Sequence, residues 1–256
     1  MNRPKKIHYC WFGNKAIPEK EKGCIESWNS VLPDWKIVLW NESSYDLNRF
    51  KFARQAYDKG MFAFVSDCVR ADVLFRFGGL YLDTDVKLFS GFSELLAGHR
   101  NFVGFETKRQ VGTAVMAFEP HHSAMKELVE YYSGDFAING QMVIEANVAY
   151  LTQILQNRGL LLNRQTQEVE GITVFNREYF FPKRLADDSF QITPNTVAVH
   201  CCSGSWMSLR QKKRGKSFFW VKIMRPVLLL SKRVLLFIVG KRATKKIEMS
   251  IRNVLR

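Results

Sequence analysis

Two aspartates one residue apart, Asp83 and Asp85, end an apolar run in the segment FGGLYLDTDV, residues 77–86. Because residues i and i+2 of an extended strand point to the same side, we expect both carboxylates to converge on one point. Two like charges that close together require a cation, a shared proton or open water. Carboxylate oxygens suit Mg²⁺ or Mn²⁺, which leave positions for substrate phosphates, so the pair indicates a metal–diphosphate site. A solvated turn is the alternative.

A second pair of charged residues, Asp67 and Arg70, lies at i and i+3 of the helix predicted before this strand. The carboxylate could accept hydrogen bonds from a ribose or a base, and the guanidinium could contact a phosphate or hold Asp67 in place. A surface ion pair is the alternative. Since the helix leads directly into the aspartate strand, we expect both residues to border the same site.

The segment HCCSGSW, residues 200–206, is the third candidate. The imidazole of His200 could complete a metal shell if the aspartates lie nearby, and Ser205 and Trp206 could contact phosphates and a flat base. Structural zinc is disfavoured there because three adjacent residues cannot enclose a tetrahedral ion. Trp11, at the end of the predicted first strand, has either a packing role in the core or a similar role beside a base.

Apolar periodicity predicts the elements that must position these side chains. Alternation indicates a strand within residues 5–13 and a compact buried strand at 35–40, and the segment 18–33 is typical of a helix. A second helix is predicted over 63–77 with its start near Ser66 and Asp67, and Gly78 and Gly79 end it. Further strands are predicted within 101–107, 111–120, 171–182 and 191–206, and helices within 121–134 and 147–160. This order indicates an α/β domain with its ligands at the carboxyl ends of strands.

The excess positive charge lies at one end of the chain. The 256 residues carry a formal net charge of +14, and residues 210–256 hold 15 of the 38 basic residues with one acid, Glu248. Residues 1–209 therefore contain 23 basic and 23 acidic residues and are formally neutral. A nucleic-acid-binding body would need positive charge on the domain itself, so we expect no nucleic-acid partner. The division predicts an α/β domain at 1–209 and a basic tail at 210–256.

The basic tail alternates apolar and cationic blocks. On a helix, Lys222, Arg225, Lys232 and Arg233 fall within an arc of about 100°. The longest uncharged apolar run, residues 234–239, is far shorter than the roughly 20 residues that span a bilayer. The pattern favours an amphipathic helical extension on an anionic membrane surface, with a helix packed on the domain and RNA binding as alternatives. Five cysteines without CxxC spacing and the absence of a signal-peptide pattern favour a reducing, cytosolic setting.

The segment SDCVRADVLFRFGGLYLDTD, residues 66–85, resembles the central signature of the DXD-containing glycosyltransferases, the glycosyltransferase sugar-binding region family. That family includes Golgi mannosyltransferase-like and bacterial capsule and lipopolysaccharide enzymes. Residues 4–13, PKKIHYCWFG, resemble the family's opening strand, and 179–182 with 195–206 resemble its closing segment. The family's closing turn often has an aromatic residue or a second histidine after the first histidine, whereas this chain has Cys201 and Cys202.

The resemblance implies a GT-A type, Rossmann-like mixed sheet flanked by helices, and a hexosyltransferase that uses a UDP- or GDP-sugar with Mn²⁺ or Mg²⁺. It also suggests retention of configuration. Together with the basic tail, it leads us to expect a lipid-linked or cell-surface polysaccharide acceptor and a peripheral position at the cytoplasmic face of a bacterial inner membrane. The roles that it implies are donor contacts by Trp11, Asp67, Arg70, Asp83, Ser205 and Trp206, and metal ligation by Asp85 and His200 with Asp83. It identifies no nucleophile or base.

Two other functions remain open at this point. The segment YLDTDV also fits the pattern of aspartyl-phosphate phosphatases, in which Asp83 would be the nucleophile and Asp85 the acid/base. Asp187 and Asp188 would then be later metal ligands, although some eighty residues precede the aspartate strand here. A non-enzymatic lipid-binding protein is the other alternative.

Overall fold

The computed structural model describes residues 4–134, 137–138, 141–142, 147–185, 187, 189–202 and 204. Residues Met1–Ser203 form one compact unit, and Gly204–Arg256 form a second. The strands are β1 Lys6–Cys10, β2 Lys36–Trp40, β3 Gly79–Leu82, β4 Val86–Leu88, β5 Asn101–Phe105, β6 Val111–Phe118, β7 Ala137–Ile138, β8 Gln141–Met142, β9 Gln167–Val169, β10 Ile172–Phe175 and β11 Ala198–His200. The α-helices are α1 Glu19–Val31, α2 Lys51–Asp58, α3 Phe62–Phe77, α4 Phe92–Gly98, α5 Ser123–Ser133 and α6 Asn147–Asn157, with short 3₁₀ helices at Leu47–Arg49 and Arg177–Tyr179.

A seven-stranded mixed sheet forms the centre of the first unit, in the order β2-β1-β3-β6-β5-β10-β9. Strand β1 runs parallel to β2 and β3, β6 is antiparallel to β3 and β5, and β10 is parallel to β5. Side chains alternate between two apolar clusters: Tyr81 packs with residues of α2, α3, α5 and α6, whereas Leu80 and Leu82 pack with residues of α1 and α4. The predicted mixed α/β sheet flanked by helices is confirmed.

The glycine pair between α3 and β3 turns the chain from helix to sheet, as predicted. Gly78 has φ 59° and its N–H donates to Leu74 O at 2.9 Å, and Gly79 has φ 107°. A Cβ atom would lie 2.5 Å from Pro120 Cδ at Gly78 and 2.7 Å from Lys6 O at Gly79. Both positions therefore combine a left-handed conformation with a close approach that only glycine tolerates.

A second, two-stranded sheet pairs β4 with β11 in antiparallel register, so that His200 lies opposite Val86. Helix α1 packs beside β4: the indole Nε1 of Trp28 donates to Val86 O at 2.7 Å, and Leu88 N donates to Ser27 Oγ at 3.0 Å. This small sheet brings a segment more than a hundred residues further along the chain against the residues that follow Asp85.

Several local predictions were wrong. Strand β3 ends at Leu82, before the aspartates, so Asp83 and Asp85 do not lie in one extended strand. Helix α3 begins at Phe62, and Ser66 is inside it, where its hydroxyl donates to Phe62 O at 3.1 Å. Strand β2 is an edge strand and only half-buried, because one of its sides lacks a neighbouring strand in the seven-stranded sheet.

Helices α2 and α4 and the short strands β4, β7, β8 and β9 were not predicted. The predicted tail helix and its basic arc lie outside the described residues. Within the described part of the chain, none of the helices combines the length and apolarity that crossing a bilayer requires.

Candidate metal and donor site

The two aspartates occupy a tight turn between β3 and β4. Asp83 N donates to Ala114 O of β6 at 2.9 Å, and Val86 N donates to Asp83 O at 3.0 Å, which closes the turn. Asp85 is buried and Asp83 is half-buried. The predicted strand would have brought the two carboxylates together. The turn does so instead, because both carboxylates face the same position.

That place is shared with His200. Asp85 Oδ1 lies 3.3 Å from His200 Nε2, and Cys201 N donates to Asp85 O at 2.9 Å, which ties the end of β11 to the turn. One ligand atom from each of Asp83, Asp85 and His200 lies within 4.8 Å of the other two. The structure thus brings together the three residues predicted as metal ligands.

The electrostatics of this group favour positive charge. Burial alone would lower the pKa of His200, but the Asp85 carboxylate and the Cys202 thiol raise it well above its usual value. An environment that stabilises the positive charge of a protonated imidazole also stabilises a metal cation that binds the ring in place of that proton. Two carboxylates and one imidazole are a donor set that Mn²⁺ accepts, while Mg²⁺ prefers oxygen alone.

Arg70 of α3 holds the adjoining part of the site. Its buried guanidinium donates through Nη1 to Thr113 O at 2.7 Å, and Nη2 lies 3.0 Å from Asp67 Oδ1 and 3.2 Å from Asp83 Oδ1. The same group lies over the ring of Tyr81, 4.6 Å from its centroid, and the Tyr81 hydroxyl donates to Asp83 Oδ1 at 3.1 Å. Arg70 and Asp67 do not form the isolated surface pair that was the alternative.

Asp67 has a partner that the sequence did not suggest. Asn147, at the start of α6, donates from Nδ2 to Asp67 Oδ1 at 2.8 Å, and its Oδ1 accepts from Thr113 Oγ1 at 3.2 Å. Burial raises the pKa of Asp67 to about 6, although Arg70 opposes that rise. Asp67 therefore lies in a closed polar network that links α3, α6 and β6.

Trp11 follows the carboxyl end of β1 and is half-buried. Because β1 and β3 are parallel neighbours, Trp11 and Asp83 follow the same edge of the sheet. The loop beyond Trp11 is fixed by Glu42, whose Oε1 accepts from Gly13 N at 2.6 Å. The other two predicted donor contacts, Ser205 and Trp206, lie outside the described residues.

Sequence reasoning missed four residues at this site, namely Tyr81, Glu106, Thr113 and Asn147. Tyr81 stands two residues before Asp83, so strand alternation could have found it. Thr113 and Asn147 enter only through contacts between distant segments. Glu106 follows β5 and offers a carboxylate within 4.8 Å of ligand atoms of His200 and Cys202. Burial raises the pKa of Glu106, while His200 opposes the rise.

Asp187, a metal ligand in the phosphatase alternative, does not join this group. Its carboxylate accepts from Ser189 N at 3.0 Å and from Ser189 Oγ at 2.6 Å. Neither of the clusters of ligand atoms found among the described residues includes Asp187. Asp188 lies outside the described residues.

Comparison with known proteins gives one family. Residues 18–102 match the family described as glycosyltransferase sugar-binding region containing DXD motif, which confirms the resemblance inferred from residues 66–85. The chain is 30% identical over 130 residues to inositol phosphoceramide mannosyltransferase 3 of Schizosaccharomyces pombe, covering 49% of this chain and 36% of the relative. It is 31% identical over 123 residues to human lactosylceramide 4-alpha-galactosyltransferase, covering 46% and 32%.

The family and these relatives are glycosyltransferases, and the chain spans about a third of the length of the curated relatives that it matches. Among solved structures, the galactosyltransferase LgtC in complex with donor and acceptor sugar analogs aligns with a TM-score of 0.40 and 15% identity. That alignment covers 78% of this chain and 87% of the other.

Proposed function

We propose that this chain is a divalent-metal-dependent glycosyltransferase that moves a hexose from a UDP- or GDP-sugar to a lipid-linked or cell-surface glycan precursor. The observation that carries the proposal is the meeting of Asp83, Asp85 and His200, from two segments far apart in sequence, within 4.8 Å of one another. The matching family and the relatives, all glycosyltransferases, support the reaction class.

Different residues of the chain would bind different parts of the sugar donor. Asp85 and His200, with Asp83, would hold Mn²⁺, which neutralises charge on a diphosphate leaving group when it is bound. Arg70 fixes the orientation of Asp67 and Asp83 by pairing with both carboxylates. We assign these two aspartates to the ribose and sugar end of the donor, and Trp11 to its base. Ser205 and Trp206 remain candidates for the diphosphate, by resemblance.

Retention of configuration and the acceptor class belong to the same proposal. The names of the two relatives, an inositol phosphoceramide mannosyltransferase and a lactosylceramide galactosyltransferase, support a lipid-linked acceptor. The excess basic charge of residues 210–256 supports a peripheral position on an anionic membrane, which we place at the cytoplasmic face of a bacterial inner membrane.

Calorimetric titration of UDP, GDP and their sugars, with Mn²⁺ and with EDTA, tests the proposal. We expect one nucleotide series to bind in Mn²⁺ and to lose its affinity in EDTA. Asp85→Asn preserves the size of the side chain but removes its charge, so donor hydrolysis should fall by about 10²–10³, and circular dichroism checks that the variant stays folded.

Asp58→Asn is the matched control, because Asp58 is an exposed carboxylate on α2 whose partner is Arg54. It should leave donor hydrolysis unchanged. The proposal fails if no common nucleotide sugar binds in Mn²⁺, or if Asp85→Asn is as active as the unsubstituted chain.

A further inference from the structure

A second set of ligand atoms lies around the other ring nitrogen of His200. Nε2 faces Asp85 Oδ1 at 3.3 Å, whereas Nδ1 lies 3.6 Å from Cys202 Sγ. Glu106, which follows β5, places a carboxylate oxygen within 4.8 Å of ligand atoms of both His200 and Cys202. One imidazole thus stands between two candidate cation positions, one with oxygen partners and one with a sulfur partner.

The spacing on the Cys202 side fits tetrahedral coordination. Zinc bonds of about 2.0–2.3 Å to nitrogen, oxygen and sulfur place the ligand atoms about 3.3–3.8 Å apart at a tetrahedral angle. The 3.6 Å from Cys202 Sγ to His200 Nδ1 lies in that range. Cys202 adopts φ 48°, a left-handed conformation uncommon for a residue other than glycine, and in that conformation its sulfur lies beside the ring.

The two candidate cation positions differ in the chemical type of their ligand atoms. Thiolate, imidazole and carboxylate together suit Zn²⁺, and a divalent ion with three protein ligands keeps an open fourth position for water. Cys202 is exposed and Glu106 and His200 are half-buried, so solvent can reach this side. For nitrogen- and sulfur-containing sites the affinity for Zn²⁺ exceeds that for Mn²⁺.

We propose that Glu106, His200 and Cys202 form an inhibitory Zn²⁺ site that competes with the cation of the donor site for the imidazole of His200. The inhibitory role, but not the Zn²⁺ site itself, rests on the proposed function. A neutral imidazole carries one proton and one free lone pair. Zn²⁺ on Nδ1 leaves the proton on Nε2, which then donates to Asp85, and the cation of the donor site requires the opposite tautomer. Binding of Zn²⁺ releases the Cys202 thiol proton to solvent, together with the Nδ1 proton where the ring is an imidazolium, and no oxidation is involved.

Titration of the full chain with Co²⁺ and Cd²⁺, followed by thiolate-to-metal charge-transfer absorption, tests the Zn²⁺ site without any donor. We expect a charge-transfer band that Zn²⁺ displaces and that Cys202→Ser abolishes. Loss of an outer-shell partner alone costs about 10–100-fold in metal affinity, so Cys202→Ser should weaken Zn²⁺ binding at least that much. Glu106→Gln retains the sulfur and should keep the band but bind Zn²⁺ less tightly.

The adjacent cysteine supplies the matched control, because the Cys201 thiol is hydrogen-bonded with Cys24 and Cys201 belongs to neither cluster of ligand atoms found among the described residues. Cys201→Ser should keep the band. Asp85→Asn removes a ligand of the donor site and none of the Zn²⁺ site, so it should keep the band even if the proposed activity is never found. Absence of the band, or a band unchanged in Cys202→Ser, overturns the Zn²⁺ site.

Mn²⁺ competition tests the shared imidazole. Excess Mn²⁺ should lower the apparent Zn²⁺ affinity of the unsubstituted chain, and Asp85→Asn should reduce that effect. If saturating Mn²⁺ leaves Zn²⁺ binding unchanged, the competition is overturned.

Discussion

Burial of the charged residues Asp67 and Arg70 fixes the orientation of their side chains at a cost in folding free energy. Arg70 is buried with interactions to two carboxylates, one carbonyl and one aromatic ring, so its charge is compensated. Asp67 shares the same guanidinium with Asp83 and gains an amide from Asn147. Its pKa is nevertheless raised to about 6 by burial, so its ionised form is held in place at a cost in folding free energy.

That raised pKa predicts a specific pH dependence for Asp67→Asn. A carboxyl that holds its proton more tightly in the folded state stabilises the fold below about pH 4, and this contribution is lost as the pH rises through about 6. The free energy of unfolding of Asp67→Asn should therefore rise relative to the unsubstituted chain between about pH 4 and pH 7, by up to about 3 kcal/mol. Urea denaturation at both pH values measures it.

Asp58→Asn is the comparison for that experiment. The pKa of Asp58 is lowered by the guanidinium of Arg54, so this variant should not gain stability over the same interval. A difference between Asp67→Asn and the unsubstituted chain that does not change with pH would contradict a raised pKa at Asp67.

His8 contacts three parts of the fold. Its contribution to stability should be lost as the pH falls, whereas that of Asp67 is lost as the pH rises. Its Nε2 donates to Gly78 O at 2.9 Å, and its Nδ1 accepts from Trp40 Nε1 at 3.1 Å, so one neutral tautomer satisfies β1, β2 and the glycine turn. Burial lowers its pKa to about 4. The neutral ring stabilises the fold above about pH 6.5, and that contribution is lost as the pH falls towards 4.

We therefore expect His8→Gln, which can also donate and accept, to weaken the acid destabilisation of the fold. Between about pH 6.5 and pH 4 the unsubstituted chain should lose up to about 3 kcal/mol more than the variant. His121→Gln is the control for a histidine outside this contact. Equal acid sensitivity of His8→Gln and the unsubstituted chain would count against a buried neutral His8.

At the scale of elements, the glycine turn decides where β3 delivers the aspartates. Gly79→Ala adds a methyl group to a left-handed residue and places it 2.7 Å from Lys6 O, a backbone atom that moves only with β1. Left-handed strain of about 1–2 kcal/mol and overpacking of about 1–3 kcal/mol predict a loss of about 2–5 kcal/mol in unfolding free energy.

Gly23→Ala is the matched control, because a Cβ there meets nothing within 4 Å and Gly23 lies inside α1. It should stabilise the chain by up to about 1 kcal/mol. Thermal denaturation of both variants gives the comparison, and a Gly79→Ala variant as stable as Gly23→Ala would remove the argument for the turn.

Sequence patterns predicted the helices, strands and turns that depend on neighbouring residues. They failed for the elements whose conformation is determined by contacts between distant segments. The alternation of β1, the helical spacing of α1 and the glycine pair each depend on neighbouring residues, and each was predicted. The aspartate turn was predicted as strand because Ala114 of β6, whose carbonyl accepts the Asp83 N–H, lies 31 residues further along the chain. Strands of three residues such as β4 and β11 carry too little pattern to indicate their pairing, so the contact of His200 with Asp85 rested on the resemblance alone.

At the scale of the whole chain, charge separates residues 1–209 from 210–256, with a neutral body and a tail of net charge +14. Each basic residue near an anionic surface contributes about 1 kcal/mol to membrane binding. In the full chain, replacing Lys222, Arg225, Lys232 and Arg233 together by Gln should therefore weaken binding to phosphatidylserine-containing liposomes by tenfold or more, measured by sedimentation. High salt should weaken binding of the unsubstituted chain similarly, because it screens exposed charge.

Deletion of residues 210–256 should abolish liposome binding while leaving Mn²⁺-dependent nucleotide binding in place, since Asp83, Asp85 and His200 all precede the deletion. Liposomes of neutral lipid alone are the control for apolar insertion by the leucine- and phenylalanine-rich blocks. If the shortened chain sediments with anionic liposomes as well as the full chain does, the membrane surface is recognised by the neutral body and the tail has another partner.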